Sequence, residues 1–260
     1  MLNEITPLIL TRNEAANIAR TLAKLSWARD VVIVDSLSSD DTRRLAVAAH
    51  PGVRWFERPF TSLADQWNFG LRQTAIGTNW VLALDADYIL SDAMVDELRA
   101  LNPGGDVNGY RASFRYCING QPLRSGVYPP VTVLFRHATA HYVNDGHAHR
   151  VRVPGSIQPL AAPIHHDDRK PLSHWLASQS RYMELEADKL QQTPAASLSL
   201  ADRVRRMIVV APPAMFLYCL IAKGGVLDGR AGLYYALQRA TAELILSLNL
   251  IDRALNGDGR

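Results

Sequence analysis

Two aspartates one residue apart close a short apolar run, "VLALDADYIL" at residues 81–90. Hard divalent cations take carboxylate oxygens and leave positions open for phosphate. Residues i and i+2 of an extended chain point to the same side, so Asp85 and Asp87 can converge on one ion. A structural reading competes with this: Asp85 ends a strand, and Asp87 opens the turn before a helix at Ser91. Asp35 ends a second apolar run, "VVIVDS". Its carboxylate can accept hydrogen bonds from a nucleobase or ribose, or it can cap a turn. Asp40, Asp41 and Thr42 are ordinary first-turn helix residues. "LTRNEAANI" leads from a strand into a helix, yet it lacks the glycines that a dinucleotide fold needs, and no Walker A sequence occurs anywhere. Its plain reading is a helix N-terminus with Asn13 as cap and Glu14 beside the positive dipole end. Histidines gather in "HYVNDGHAHRV" and "HHDD".

The elements that must position these groups alternate over the first hundred residues. Apolar, β-branched runs at 5–11, 30–36, 52–58 and 80–86 read as strands. Periodic segments at 13–25, 38–50, 62–75 and 91–101 read as helices, with Ser39 or Asp40 capping the second. Such alternation predicts an α/β fold, a mainly parallel sheet with helices on both faces. Ligands of these sheets bind beyond the carboxyl ends of the strands. Thr11, Asp35 and Asp85 all fall at such ends. From 105 to 160 the pattern turns to strands, and a long helix follows at 170–190. In it Leu172, Trp175, Leu176, Tyr182, Met183 and Leu190 form a stripe that also holds Gln179 and Glu186. A Pro/Ala/Ser linker at 193–199 precedes a basic and then strongly apolar stretch.

With 260 residues, 48% hydrophobic and 20% charged, the chain has the composition of a globular protein. A net charge of +3 does not argue for nucleic acid. Cys117 and Cys219 lie far apart, which fits a reducing compartment and excludes a disulfide framework. "MLNEITPLIL" lacks the basic start of a signal peptide. The run "MIVVAPPAMFLYCLIA" is broken by Pro212 and Pro213 and is shorter than the roughly 20 residues of a spanning helix. Arg203, Arg205 and Arg206 precede it and Lys223 follows. These C-terminal helices either lie in a membrane interface, arginines near anionic headgroups, or pack on the rest of the protein or in a dimer.

Taken together, "ILTRNEAANI", "VVIVDSLSSDDT", "QWNFGL" and "VLALDAD" resemble the family 2 glycosyltransferases of GT-A (Rossmann-like) fold, over about residues 3–100. "KGGVLDGRAGLYYAL" is similar, more loosely, to the lipopolysaccharide-core β-glucosyltransferase branch. The resemblance implies that Thr11, Arg12 and Glu14 line a nucleotide pocket and that Asp35 reads the base, with Ser36 nearby. It implies that Asp85 contacts the ribose, or the metal through water, and that Asp87 ligates Mg²⁺ or Mn²⁺. His165 stands where similar enzymes place a histidine near diphosphate and metal, and by position it is favoured over His166 and Asp167. Arg169 and Lys170 bind diphosphate or are simply solvated. Trp175, Gln179 and Tyr182 border the acceptor channel or belong to a core.

The implied activity is metal-dependent, inverting transfer from a nucleotide sugar, a UDP-sugar first of all, to a glycolipid or lipid-linked acceptor. The chain departs from the branch at Tyr88, where relatives carry an acid, and it lacks the Glu-Asp pair at the usual site of the general base. Asp145 is the first candidate base and His147 the second, against the reading of Asp145-Gly146 as a hairpin turn. The expected organisation is a catalytic domain over 1–192, with a nucleotide-sugar half (1–103) and an acceptor half (104–192). A helical segment at 193–260 would contact the inner face of the cytoplasmic membrane. Oligomerisation is left open. The rivals are sugar-phosphate nucleotidyl transfer, which usually opens with a Gly-rich basic loop absent after Ile9, and a non-catalytic nucleotide-sugar-binding module.

Overall fold

The computed structural model describes residues 1–145 and 148–257. The chain forms two compact units. The first comprises Met1–Gly120 and Tyr128–Lys170, and the second comprises Gln121–Val127 and the chain from Pro171 onward. The division thus falls after Lys170 rather than near residue 192, because the long helix that follows packs with the C-terminal helices: Ala187 and Leu190 share a core with Leu198 and Leu246.

In the first unit β1 (Ile5–Thr11), β2 (Val31–Asp35), β3 (Val53–Glu57) and β4 (Trp80–Asp85) are the four expected strands. The remaining strands are β5 (Tyr88–Leu90), β6 (Val107–Ala112), β7 (Phe114–Ile118), the two-residue β8 (Gln121–Pro122, second unit), β9 (Val131–Arg136), β10 (His141–Asp145), β11 (Ala148–Arg152), β12 (Ser156–Pro159) and β13 (Ile164–His166). The main sheet runs β12-β6-β9-β4-β1-β2-β3. Its β4-β1-β2-β3 part is parallel, and β9 pairs antiparallel with both β4 and β6. The helices are α1 (Ile18–Ala23), α2 (Thr42–Ala49), α3 (Leu63–Gln73) and α4 (Asp92–Ala100).

Strand alternation divides the core. Trp80, Leu82 and Leu84 pack with Ile18, Leu22, Ala46, Met94 and Leu98 of α1, α2 and α4. Val81 and Ala83 pack with Ala64, Trp67 and Leu71 of α3. Helices therefore cover both faces, as the pattern predicts. Ser62 and Ser91 cap α3 and α4 by accepting from Asp65 N and Met94 N.

Two local expectations fail. The helix predicted over 13–25 begins only at Ile18. Asn13 has φ of +54°, and its neighbours spend their N–H groups on the β2–α2 loop. Glu14 N donates to Thr42 Oγ1 and Ala15 N to Asp40 Oδ2, while Asn13 Oδ1 accepts from Ser39 N. Asn13 is therefore a loop tie, not a helix cap. The turn expected after Asp87 is instead β5, which pairs antiparallel with β13, itself parallel to β7.

The second unit consists of α5 (Leu172–Gln192), α6 (Leu200–Arg206), α7 (Ala211–Leu217), a wider helical turn over Tyr218–Ala222, a tight turn over Gly225–Asp228 and α8 (Gly229–Gly257). Pro212 and Pro213 occupy the first turn of α7 and start it, rather than kink it. The stripe expected to pack along α5 is largely exposed at Leu172, Leu176 and Tyr182. The buried positions are Glu186, Ala187 and Leu190. Glu186 is explained by Arg205, whose Nη1 lies 3.3 Å from it while Nη2 lies 2.9 Å from Glu243. Arg205 is thus an internal ion-pair partner, not one of the arginines free for a headgroup. The Asp228 carboxylate accepts from Arg124 N (2.8 Å), Ser125 N (3.2 Å) and Ser125 Oγ (3.2 Å), tying 121–127 to this unit. Among the described residues no helix is long and apolar enough to cross a membrane.

Candidate functional site

The carboxyl ends of β1, β2 and β4 deliver Thr11, Asp35 and Asp85 to one edge of the sheet, as parallel strands in register require. Asp35 is buried. Its Oδ1 accepts from Thr11 Oγ1 (2.7 Å) and Ser38 Oγ (2.6 Å), and its Oδ2 from Ser38 N (2.7 Å). Ser36 accepts from Gln66 Nε2 at 2.8 Å. Both readings of Asp35 are compatible with this: it holds the 35–38 turn, and it stands at a ligand-binding edge. Arg12 is exposed.

Glu14 is drawn into the interior with Lys170 at 2.5 Å and Asn17 at 2.9 Å. Burial pushes its carboxyl up to about 7, outweighing the attraction of Lys170, and the charge of Asp87 adds to the rise. Burial opposes the Lys170 ammonium, but Glu14 and then Asp168 and Asp87 hold it above its usual value. Lys170 is therefore a partly buried cation among carboxylates, not a solvated side chain. Arg169 is committed elsewhere, to Asp167 at 2.8 Å.

Asp87 lies just beyond the β4 end and meets His166, Nε2 to Oδ2 at 3.0 Å. Burial disfavours its charge, but His166 and then Lys170 outweigh that and keep it below the usual carboxylate range. Asp85 goes the other way: burial first, and the charge of Asp87 second, raise it. The two half-buried neighbouring carboxylates are thus shifted in opposite directions, Asp87 by its nearby cations and Asp85 by burial and by Asp87. Of the two histidines, the structure sets His166 against Asp87, not the His165 favoured by sequence position. Consecutive strand residues face opposite sides, and His165 is turned away. Burial and Arg115 lower His165. His166 is raised, the Asp87 carboxylate outweighing burial.

Three tyrosine rings surround His166, with centroids at 5.3 Å (Tyr88), 4.9 Å (Tyr116) and 5.0 Å (Tyr128). Tyr88 shares a 2.7 Å hydrogen bond with Tyr128 and forms one wall of the site.

A residue that sequence reasoning missed is His149. Its ring lies 5.9 Å from Trp67 and 5.5 Å from Tyr142, and it faces Asp85 electrostatically. The period-2 pattern of "HRVRV", with Val151 and Val153 packed inward, carried that signal. Asn17 was missed as well. Fully buried, it donates to Glu14 and Asp168 and accepts from Arg20 and the N–H of Arg169. Of the two candidate bases, His147 and the Asp145 side chain lie outside the described residues. Trp175, Gln179 and Tyr182 lie on α5 in the second unit.

Among the described residues no three His, Cys, Asp or Glu side chains form a closed metal site. The donor set that does exist suits an open one. Mg²⁺ or Mn²⁺ takes one or two carboxylates and fills its remaining positions with water and phosphate oxygens. The half-buried Asp85 and Asp87 would supply the carboxylates, and His166 Nδ1 is a buried polar atom with no partner among the described residues.

Residues 8–117 match the model of the Glycosyl transferase family 2. An uncharacterized glycosyltransferase of Rickettsia felis is 32% identical over 112 residues, covering 43% of this chain and 38% of that protein. The match thus spans well under half the length of that relative. The lipopolysaccharide core biosynthesis glycosyltransferase LpsC of Rhizobium meliloti is 24% identical over 96% of this chain and 92% of its own. Among solved structures, Staphylococcus aureus TarS 1–349 with UDP-GlcNAc aligns at TM-score 0.45 and 14% identity, covering 98% of this chain and 92% of that one. Glucosyl-3-phosphoglycerate synthase of Mycobacterium tuberculosis with phosphoglyceric acid aligns at 0.49 and 16% identity, covering 76% and 83%. Residues 8–117, the stretch that carries Thr11, Asp35, Asp85 and Asp87 to one sheet edge, are thus similar to the Glycosyl transferase family 2.

Proposed function

We propose that the protein transfers a sugar, with inversion, from a nucleotide-sugar donor, a UDP-sugar, to a lipid-linked or lipopolysaccharide-core acceptor at the inner face of the cytoplasmic membrane. The observation that carries this reading is the half-buried Asp87, its carboxyl held below the usual range by His166, beside Asp85 at the carboxyl edge of the parallel strands, the edge that also carries Asp35. In this reading Asp35, held by Thr11 and Ser38, accepts from the base, and Arg12 and Ser36 border the nucleotide. Asp85 faces the ribose. Asp87, oriented by His166, holds Mg²⁺ or Mn²⁺ together with the donor diphosphate.

When bound, the cation supplies the positive charge that a leaving nucleoside diphosphate demands. Lys170, kept charged and pinned by Glu14, adds a fixed cation near the same carboxylates. A carboxylate takes the acceptor hydroxyl proton as the new glycosidic bond forms and the bond to diphosphate breaks, and Asp145 remains the first candidate for that role. The many exposed apolar side chains of the second unit support an acceptor met at a membrane.

The test is calorimetric. Asp87→Ala should abolish the Mn²⁺-dependent binding of UDP while leaving the thermal unfolding cooperative. Unchanged metal-dependent affinity would remove Asp87 from the site, and no release of nucleoside diphosphate from any donor would remove the enzyme reading altogether.

A further inference from the structure

The apolar run at 207–222 contains no charged residue, and its helical part is two-sided in an unusual way. Ala211 and Cys219 face inward, eight residues apart. Pro213, Leu217 and Ile221 recur at intervals of four on the outward side, where Leu217 is 51% and Ile221 67% exposed. A helix of a water-soluble surface carries polar groups on that side. Here the outward face is apolar throughout, and the turn that follows continues it with Val226 (64%) and Leu227 (68%).

Along the chain, the exposed charges that flank this face from residue 203 to 242 have one sign. From Arg203 to Ala242 the sequence has a single carboxylate, Asp228. That residue is buried and occupied by the 124–125 backbone. Arg203, Arg206, Lys223 and Arg230 are all exposed. A second copy of the chain would bring the same cations against these, with no exposed acid in the stretch to answer them. An anionic surface answers all of them at once.

We infer that the outward face of residues 213–227 is the segment that inserts into the headgroup layer of an anionic phospholipid bilayer, with Arg203, Arg206, Lys223 and Arg230 contacting lipid phosphates. The twelve residues 211–222 reach roughly 18 Å at about 1.5 Å each, well short of a bilayer core, so the helix lies in the interface plane. This sharpens the membrane part of the proposed function and is independent of its sugar chemistry.

The full chain is sedimented with vesicles of phosphatidylcholine alone or phosphatidylcholine mixed with phosphatidylglycerol. Binding should require the anionic lipid and weaken with salt, and the double substitution Leu217→Glu/Ile221→Glu should lower it about tenfold or more. Arg203→Gln/Arg206→Gln should lower it several-fold. Should the glutamate variant fail to fold, Leu217→Trp reports instead: brominated lipid should quench its added fluorescence. Three results would overturn the inference: no sedimentation with anionic vesicles at low salt, unchanged binding in the glutamate variant, or added fluorescence that stays unquenched when the Leu217→Trp variant is vesicle-bound. A concentration-dependent dimer, lost in the glutamate variant without any vesicle binding, would assign the face to a second copy. Mn²⁺-dependent UDP binding measured on the same variants separates failure here from failure of the glycosyl-transfer reading.

Discussion

Asp167 illustrates how single residues hold the site's surroundings in place. Its carboxylate accepts from Arg169, Arg20 and Gly120 N, and its backbone N–H donates to Asp87 O. Burial opposes its charge, but the bonds from Arg169 and Gly120 and the charges of both arginines hold it below its ordinary value. A depressed carboxyl stabilises the fold above its unfolded value and loses that contribution as pH falls through the folded one. Asp167→Asn should therefore cost about 2 kcal/mol at pH 7, with the gap to wild type closing below about pH 4. Urea unfolding at pH 7, 5 and 3 measures this, and a pH-independent gap would contradict it. At this scale the acids were legible from sequence, because a carboxylate closing an apolar run has few other places to be. The choice between His165 and His166 was not, since it turns on the register of a three-residue strand. Tyr88, where relatives carry an acid, packs its ring on His166 and Tyr128 and adds no third charge beside the two carboxylates.

Elements show which parts of the pattern outlast tertiary competition. The four parallel strands and the capped helices α3 and α4 form where periodicity put them. The first helix loses its opening turn because its N–H groups found partners in a neighbouring loop, a contact no local propensity encodes. In α5 only the C-terminal part of the stripe is buried, at Glu186 and Leu190, while Leu172, Leu176 and Tyr182 are exposed. Arg205, the companion of Glu186, fastens α6 against α8 through Glu243, with bonds of 2.9–3.2 Å. Removing one partner of a buried pair costs more than replacing both. Arg205→Ala should lower stability by about 3 kcal/mol, and Arg205→Met with both Glu186→Gln and Glu243→Leu should recover most of it. Chemical denaturation followed by circular dichroism decides; equal loss in both variants would mean the charges themselves contribute little.

For the molecule as a whole, the alternating first hundred residues fixed the class of fold, but the partition of the chain escaped the sequence. A boundary was expected at the Pro/Ala/Ser linker, yet the seven residues 121–127 belong with the C-terminal helices. Their attachment is made by Asp228 and by the Tyr235 hydroxyl, which accepts from Val127 N at 3.1 Å. Nothing local in "QPLRSGV" announces a partner a hundred residues away. A chain ended after Lys170 would leave the N–H groups of Arg124, Ser125 and Val127 without these acceptors. It should melt at least about 5 °C below the full chain, or aggregate. A truncated chain with the same melting temperature would show that the tie contributes nothing to the first unit's stability.

That tie also sets an order of events during synthesis. Arg124 leaves the ribosome 104 residues ahead of the aspartate that accepts from it. The sheet of the first unit, closed by residue 166, can assemble while translation continues, but the 121–127 segment must wait as an open loop until α8 begins to emerge. Contacts of such sequence separation are slow to close, and they expose the waiting segment to misassembly. Emergence of α8, rather than collapse of the first half, is then the step that closes the tie.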